Sequence, residues 1–154
     1  MKWLPKEIET YLTAKEYVDT AVLPLQPVSF GADMKQSASS TEFINLLTSY
    51  LERQFTGRLL LIPSFTYLKS EKGEEVLHEL KKWEADIVKS EFKHIFYITS
   101  DSDWKLYENE LSGTVIWLPS LPLEHLNDSQ KISMVESQVN QLLGLFTRKW
   151  HENL

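Results

Sequence analysis

Ala21-Val22-Leu23-Pro24, Leu59-Leu60-Leu61-Ile62-Pro63 and Val115-Ile116-Trp117-Leu118-Pro119 share one form, an apolar run followed by proline. A fourth run, Ile95-Phe96-Tyr97-Ile98, ends instead on Thr99-Ser100-Asp101. Short runs that are apolar at every position suit strands buried on both faces, as in a parallel sheet covered by helices. Proline has no N–H to donate and fixes its own φ, so each of the three prolines is expected to end its ladder.

Amphipathic segments lie between these runs. Pro5 is placed to open a helix with Ile8, Tyr11 and Leu12 inward. The first strand is expected at 20–25, followed by a loop over 26–38. Ser39 and Glu42 have capping-box spacing and introduce a helix with Phe43, Ile44, Leu47 and Leu51 on one face, released at Gly57. After a second strand at 58–63, a helix near 73–90 turns Val76, Leu77, Leu80, Trp83, Ile87 and Val88 inward, with Glu74 and Glu75 at its favourable N-terminal end. A third strand at 94–99, a short helix at 102–110 and a fourth strand at 114–119 follow. The last helix, from about Ser129 to Lys149, turns Ile132, Val135, Val139, Leu142 and Phe146 inward.

This alternation predicts a single three-layer α/β domain. Its sheet is small, mostly parallel and four-stranded, in the order 2-1-3-4, with helices on both faces. An antiparallel edge at the fourth strand is the alternative, because the connection leading to it is the shortest.

Composition narrows the functions. The 154 residues contain no cysteine, which excludes disulfides, thiolate catalysis and cysteine-ligated metal centres. No stretch approaches the roughly 20 apolar residues that span a bilayer, and Met1 to Glu7 lacks the apolar core of a signal peptide. A cytoplasmic protein is expected. Lys plus Arg number 16 against 22 Asp plus Glu, a formal charge of −6, and the basic pairs Lys81-Lys82 and Arg148-Lys149 are isolated. Nucleic-acid affinity rests on clustered cations, so neither nucleic acid nor an anionic membrane is an expected partner.

Motifs narrow them further. The glycines, Gly31, Gly57, Gly73, Gly113 and Gly144, form neither GxGxxG nor a P-loop. No serine sits in G-x-S-x-G, and His78, His94, His125 and His151 share no metal-ligand spacing. The polar cluster with chemical potential is Thr99-Ser100-Asp101-Ser102-Asp103. Asp101 and Asp103, just beyond a buried strand, have the oxygen chemistry to hold a hard divalent cation. The structural reading is that Ser100, Asp101 or Ser102 caps the short helix carrying Trp104, while Asp103 complements its dipole. Trp83 and Trp117 fall on core positions, whereas Trp3, Trp104 and Trp150 fall near element ends, where an indole can be partly exposed, with an inward Trp150 on the last helix as the alternative.

Glu16-Tyr17-Val18-Asp19-Thr20-Ala21, Phe55-Thr56-Gly57-Arg58, Phe65-Thr66-Tyr67-Leu68, Phe92-Lys93-His94-Ile95-Phe96 and Leu118-Pro119-Ser120-Leu121-Pro122-Leu123 together resemble the YpiF-like proteins of Bacillus-type bacteria. The resemblance runs through nearly the whole chain. It implies a small cytosolic bacterial protein, and it carries no catalytic residue, cofactor or substrate onto any position here.

A complete fold signal beside an incomplete catalytic one leads to a non-enzymatic binding or protein-interaction module, without a cofactor, whose partner is a protein or a small ligand. The rival is a metal-dependent enzyme using Asp101 and Asp103 on a phosphorylated or sugar substrate. A dimerising subunit would need an exposed apolar face. In open α/β sheets ligands sit beyond the carboxyl ends of the strands, where successive connections leave in opposite directions. With the order 2-1-3-4 this lies between the first and third strands. Its walls would be the loop from Gln26 to Lys35 and the turn Thr99, Ser100, Asp101 and Asp103, with Ser64, Thr66 and Tyr67 approaching from the second strand and Ser120 from the fourth. Neutral hydroxyls beside two carboxylates favour a neutral or cationic ligand, or a protein segment, over a multiply charged phosphate. The competing expectation is that Phe30 or Met34 plugs this crevice.

Overall fold

A computed structural model describes residues 1–152. Among them the strands β1 (Thr20–Val28), β2 (Leu59–Leu61), β3 (Phe65–Leu68), β4 (His94–Thr99) and β5 (Thr114–Trp117) form one sheet. Its order is β2-β1-β4-β5, which is the expected order, but the sheet has five strands rather than four, because β3 also pairs with β1 beyond the end of β2. Every pairing is parallel, including β4 with β5, so the antiparallel alternative does not hold.

The doubly buried runs are explained by two faces of packing. In β4, Phe96 and Ile98 enter one core while Ile95 and Tyr97 enter the other. The first core lies beneath helices α2 (Met34–Gln54) and α4 (Asp128–Glu152), which supply Phe43, Leu47, Leu51, Val139, Leu142 and Phe146. The second lies beneath α3 (Gly73–Lys89), which supplies Val76, Leu77, Leu80 and Ile87. Right-handed crossovers produce this division: the chain winds outward from β1 through α2, then back across β1 through α3, so the two helices land on opposite faces. Helix α1 (Pro5–Thr13) packs at the β2 edge, with Tyr11 stacked on Phe92 at 5.6 Å.

Pro24 does not end its ladder. It lies inside β1, which runs on to Val28 through a second proline, Pro27. The N–H of Ile62 donates to the carbonyl of Val22, and that of Lys69 to the carbonyl of Val28. Even-numbered residues of β1 therefore face β2 and β3. Pro24 faces that side at the break between these two segments, where Pro63 also lies. Odd-numbered residues face β4, whose last pair is Thr99 with Leu25, so Pro27 lies just past its end. Each missing N–H thus points where no ladder partner is waiting, which is the condition for proline inside a sheet. Pro63 and Pro119 do fall beyond the last paired residues of β2 and β5.

Other boundaries move as well. α2 begins at Met34 after Asp33, so the expected loop over 26–38 is partly strand and partly helix, and Ser39 with Glu42 lies inside the helix rather than capping it. The first turns of α2 are polar and mostly exposed, so no apolar period marked them. Leu12, Trp83, Val88 and Ile132 are not core residues; all four are exposed. Trp104 and Trp150, expected at partly exposed ends, are both buried, Trp104 at 2% exposed and Trp150 at 7%.

Candidate functional site

The carboxyl ends of β1, β3 and β4 converge on one polar network. β3 carries Tyr67, and Lys69 follows just past its end. Residues two apart on extended chain share a face. Tyr67 OH donates to Asp101 Oδ2 at 2.6 Å, and Trp104 Nε1 donates to Tyr67 OH at 2.7 Å. Lys69 Nζ donates to Asp101 Oδ1 at 2.7 Å and to Asp103 Oδ2 at 2.8 Å. Asp101 is also the N-cap of the 3-10 helix Ser102–Glu110: its Oδ1 accepts the backbone N–H of Asp103 at 3.1 Å. Its own N–H donates to Thr99 Oγ1 at 3.0 Å. One buried carboxylate thereby ties the edge strand, the end of β4 and the start of the 3-10 helix together.

The electrostatics follow from these bonds. Burial pushes the Asp101 carboxyl up, but the bonds from Lys69, Tyr67 and the Asp103 N–H outweigh it and hold the carboxyl below its ordinary value. Burial and the bond to Asp101 push the Tyr67 phenol well up, fixing it as a donor. Burial pulls the Lys69 ammonium down, yet its two carboxylate partners win and raise it.

Beside this network lies a cleft of about 410 Å³ at the switch point. Pro27 in β1 and Ser29 just past it, Asp33 before α2, Ser37 and Ser40 on α2, Ser100 and Ser102 after β4, and Trp117 at the end of β5 with Ser120 beyond it line it, with Lys69 and Asp101 at one side. Ser37 Oγ donates to the carbonyl of Pro27 at 2.9 Å and accepts the N–H of Ser29 at 3.2 Å, closing the end of β1 that β4 leaves uncovered. Trp117 Nε1 donates to the Ser100 carbonyl at 3.2 Å. The hydroxyl oxygens of Ser100 and Ser120 are buried and have no hydrogen-bond partner among the described residues.

Of the residues expected here, Ser100, Asp101 and Ser120 line the cleft. Thr99 is fully buried beneath it, serving as acceptor for Asp101. Tyr67 and Asp103 lie on the far side of the Lys69–Asp101 bond, around a hollow of about 50 Å³. Ser64 sits at the break between β2 and β3, 3.1 Å from Thr66 Oγ1, and is not a lining residue. Phe30 and Met34 do not plug the crevice; they are 71% and 53% exposed. Sequence reasoning missed Lys69, Ser37 and Ser40. Lys69 was visible only through the two-residue period from Tyr67, and the helical serines only once α2 is known to start at Met34. Trp117, expected as core, is half-buried and forms cleft wall.

The carboxylate pair can be weighed as a metal site on this geometry. Both oxygens of Asp101 already accept bonds, and Lys69 Nζ stands between Asp101 and Asp103. A divalent cation would have to displace that ammonium. Among the described residues no group of three or more His, Asp or Glu side chains gathers as a ligand set.

Residues 9–150 match a family model described as a protein of unknown function, DUF2487, and the chain belongs to that family. It is also 35% identical over 150 residues to the "Uncharacterized protein YpiF" of Bacillus subtilis (strain 168), an alignment covering 97% of this chain and 98% of the relative. The resemblance to the YpiF-like proteins is thereby shown. No solved structure matches the chain significantly. No helix of the described residues is long and apolar enough to cross a membrane.

Proposed function

For this chain of the DUF2487 family we propose a non-enzymatic binding module whose ligand enters the serine-lined cleft at the carboxyl end of the sheet. The ligand is a small neutral or singly cationic molecule rich in hydrogen-bonding groups. The observation that carries the reading is the lining itself: Ser100 and Ser120 hold buried hydroxyls without partners, beside Ser29, Ser40 and Ser102. A buried hydroxyl left unpaired costs about 1–3 kcal/mol, and a ligand that bonds it recovers that cost. Lys69 is engaged by Asp101 and Asp103, and the remaining charge on the lining is the carboxylate of Asp33, so the cleft offers no free cation to draw a phosphate. The position agrees with the rule for open α/β sheets.

The rival, a metal-dependent enzyme acting on a phosphorylated or sugar substrate through Asp101 and Asp103, requires a cation to replace Lys69. A net charge of −6 without a cationic cluster supports action away from nucleic acid and anionic lipid, and the proposed place of action is the cytoplasm. The test is an NMR screen of the ¹⁵N-labelled chain with polyols, neutral sugars, small amines and inorganic phosphate. Shifts at Ser37, Ser40, Ser100, Ser102 and the Trp117 indole N–H, from a neutral or cationic compound, are expected. Shifts confined to the opposite end of the sheet, around Gly57, Lys93 and Gly113, or tightest binding of phosphate, would overturn the reading.

A further inference from the structure

A second surface stands apart from the cleft. Helices α1 and α3 lie on the same face of the sheet and leave a trough of about 750 Å³ between them, floored by Leu60, Ile62 and Phe92. One wall presents Trp3 and Leu12, 55% and 57% exposed, and the other presents Trp83, 39% exposed, beside Ile87. A hollow of about 390 Å³ continues the trough along Leu4, Ile8 and Leu12. We propose that this trough receives an amphipathic α-helix of a partner protein, its apolar face inward and its flanks carrying Lys or Arg.

The shape argues for a helix. Glu79, Lys82, Trp83, Asp86, Ile87 and Ser90 of the α3 wall recur at i, i+3, i+4, i+7, i+8 and i+11, the pattern of a helix-packing face. Leu4, Ile8 and Leu12 form a parallel stripe at i, i+4 and i+8 on the other side. An added strand would need the outer edge of β2, but the N–H of Leu61 is already taken by the carbonyl of Met1 at 2.8 Å. The charge argues for a cationic partner. Glu9, Glu79 and Asp86 line the two hollows against one base, Lys82, and that base is bonded to Glu79 at 2.9 Å. Asp86 has only a long contact of 3.9 Å to the exposed Lys89. A second copy of the chain would bring two acidic rims together in molecules that each carry −6.

The test uses the whole chain and three synthetic peptides of about four helical turns. One has leucines at i, i+3, i+4 and i+7 with lysine flanks, one has glutamate flanks, and one has the lysine composition in scrambled order. Binding is read by tryptophan fluorescence and helix gain by circular dichroism. The lysine peptide is expected to bind and become helical, more weakly at high salt, and the glutamate peptide to bind at least about tenfold more weakly. Trp83→Glu and Leu12→Glu should each weaken binding about tenfold. Asp86→Lys, at an exposed position, should shift preference toward the glutamate peptide. Failure of the lysine peptide to bind would overturn the proposal, as would equal binding of all three peptides or binding that survives both glutamate substitutions. So would a dimer in sedimentation that Trp83→Glu dissociates, which would identify a second copy as the occupant. These readouts lie away from the cleft amides, so failure here and failure of the cleft reading are separable.

Discussion

Lys69 and Asp101 are joined at 2.7 Å across 32 residues of chain, and the bond holds the edge segment β3 against the turn that starts the 3-10 helix. The Asp101 side chain is 5% exposed and the Lys69 side chain 41%. Removal of the ammonium leaves a buried carboxylate with fewer donors, while water reaching Lys69 softens the loss. Lys69→Met should therefore destabilise the fold by about 1–2 kcal/mol in urea unfolding. An unchanged midpoint would mean that Tyr67 and the backbone alone satisfy Asp101.

Asp101 and Asp103 should differ sharply. Asp101→Ala removes an N-cap, worth about 0.5–2 kcal/mol, and strips the acceptor from Tyr67 as well, so its cost should exceed the cap alone. Asp103→Ala removes one exposed ion pair and should cost less than about 1 kcal/mol. The pH dependence has a definite sign. The folded Asp101 carboxyl is held below its ordinary value, so its contribution is present above the unfolded value of about 4 and is lost as pH falls from there through the folded value. Asp101→Asn should flatten that acid limb of the stability curve.

Gly113 is fixed by close approach rather than by φ. A Cβ there would stand 2.6 Å from Tyr97 Cε2 and 3.0 Å from the Ile95 carbonyl. Gly113→Ala should cost about 1–3 kcal/mol through overpacking. The same corner depends on Glu84, which accepts the Tyr97 hydroxyl and the N–H groups of Ser112 and Gly113. Glu84→Ala should cost about 1–3 kcal/mol for each buried donor left unpaired, and Glu84→Gln should cost less. Chemical denaturation of the three variants ranks them.

His94 gives a second pH signature. Burial disfavours its imidazolium, Arg58 and Lys93 add to this, and Asp19 opposes without winning, so its folded pKa lies below the ordinary value. The unfolded chain then binds the extra proton first, and stability should decline as pH falls below about 6.5 toward the folded value. His94→Gln should remove this part of the slope when urea midpoints are compared at about pH 7 and about pH 5.

Most of the sheet was legible because β1 and β4 must bury both faces, and Ile95 through Ile98 say so residue by residue. The switch-point location followed from strand order alone. Two things were not legible. Whether a proline interrupts a ladder depends on which neighbour its missing N–H faces, and for Pro24 that neighbour is the gap between β2 and β3, a tertiary fact. The partner of the carboxylates was equally hidden, since Lys69 reaches Asp101 only after β3 pairs with β1. Trp83 and Leu12 kept a helical apolar period and yet face the trough, because periodicity marks a packing face without saying whether this chain supplies its cover.

In the proposed arrangement Asp101 and Asp103 serve the fold through Lys69 and leave the adjoining cleft to a ligand. Thermal unfolding in the presence of Mg²⁺ or Mn²⁺ decides between this arrangement and a metal centre. The wild-type melting temperature should not move as either cation is added. A metal-dependent rise in melting temperature, abolished by Asp101→Asn and by Asp103→Asn, would contradict it and assign the carboxylate pair to a metal centre.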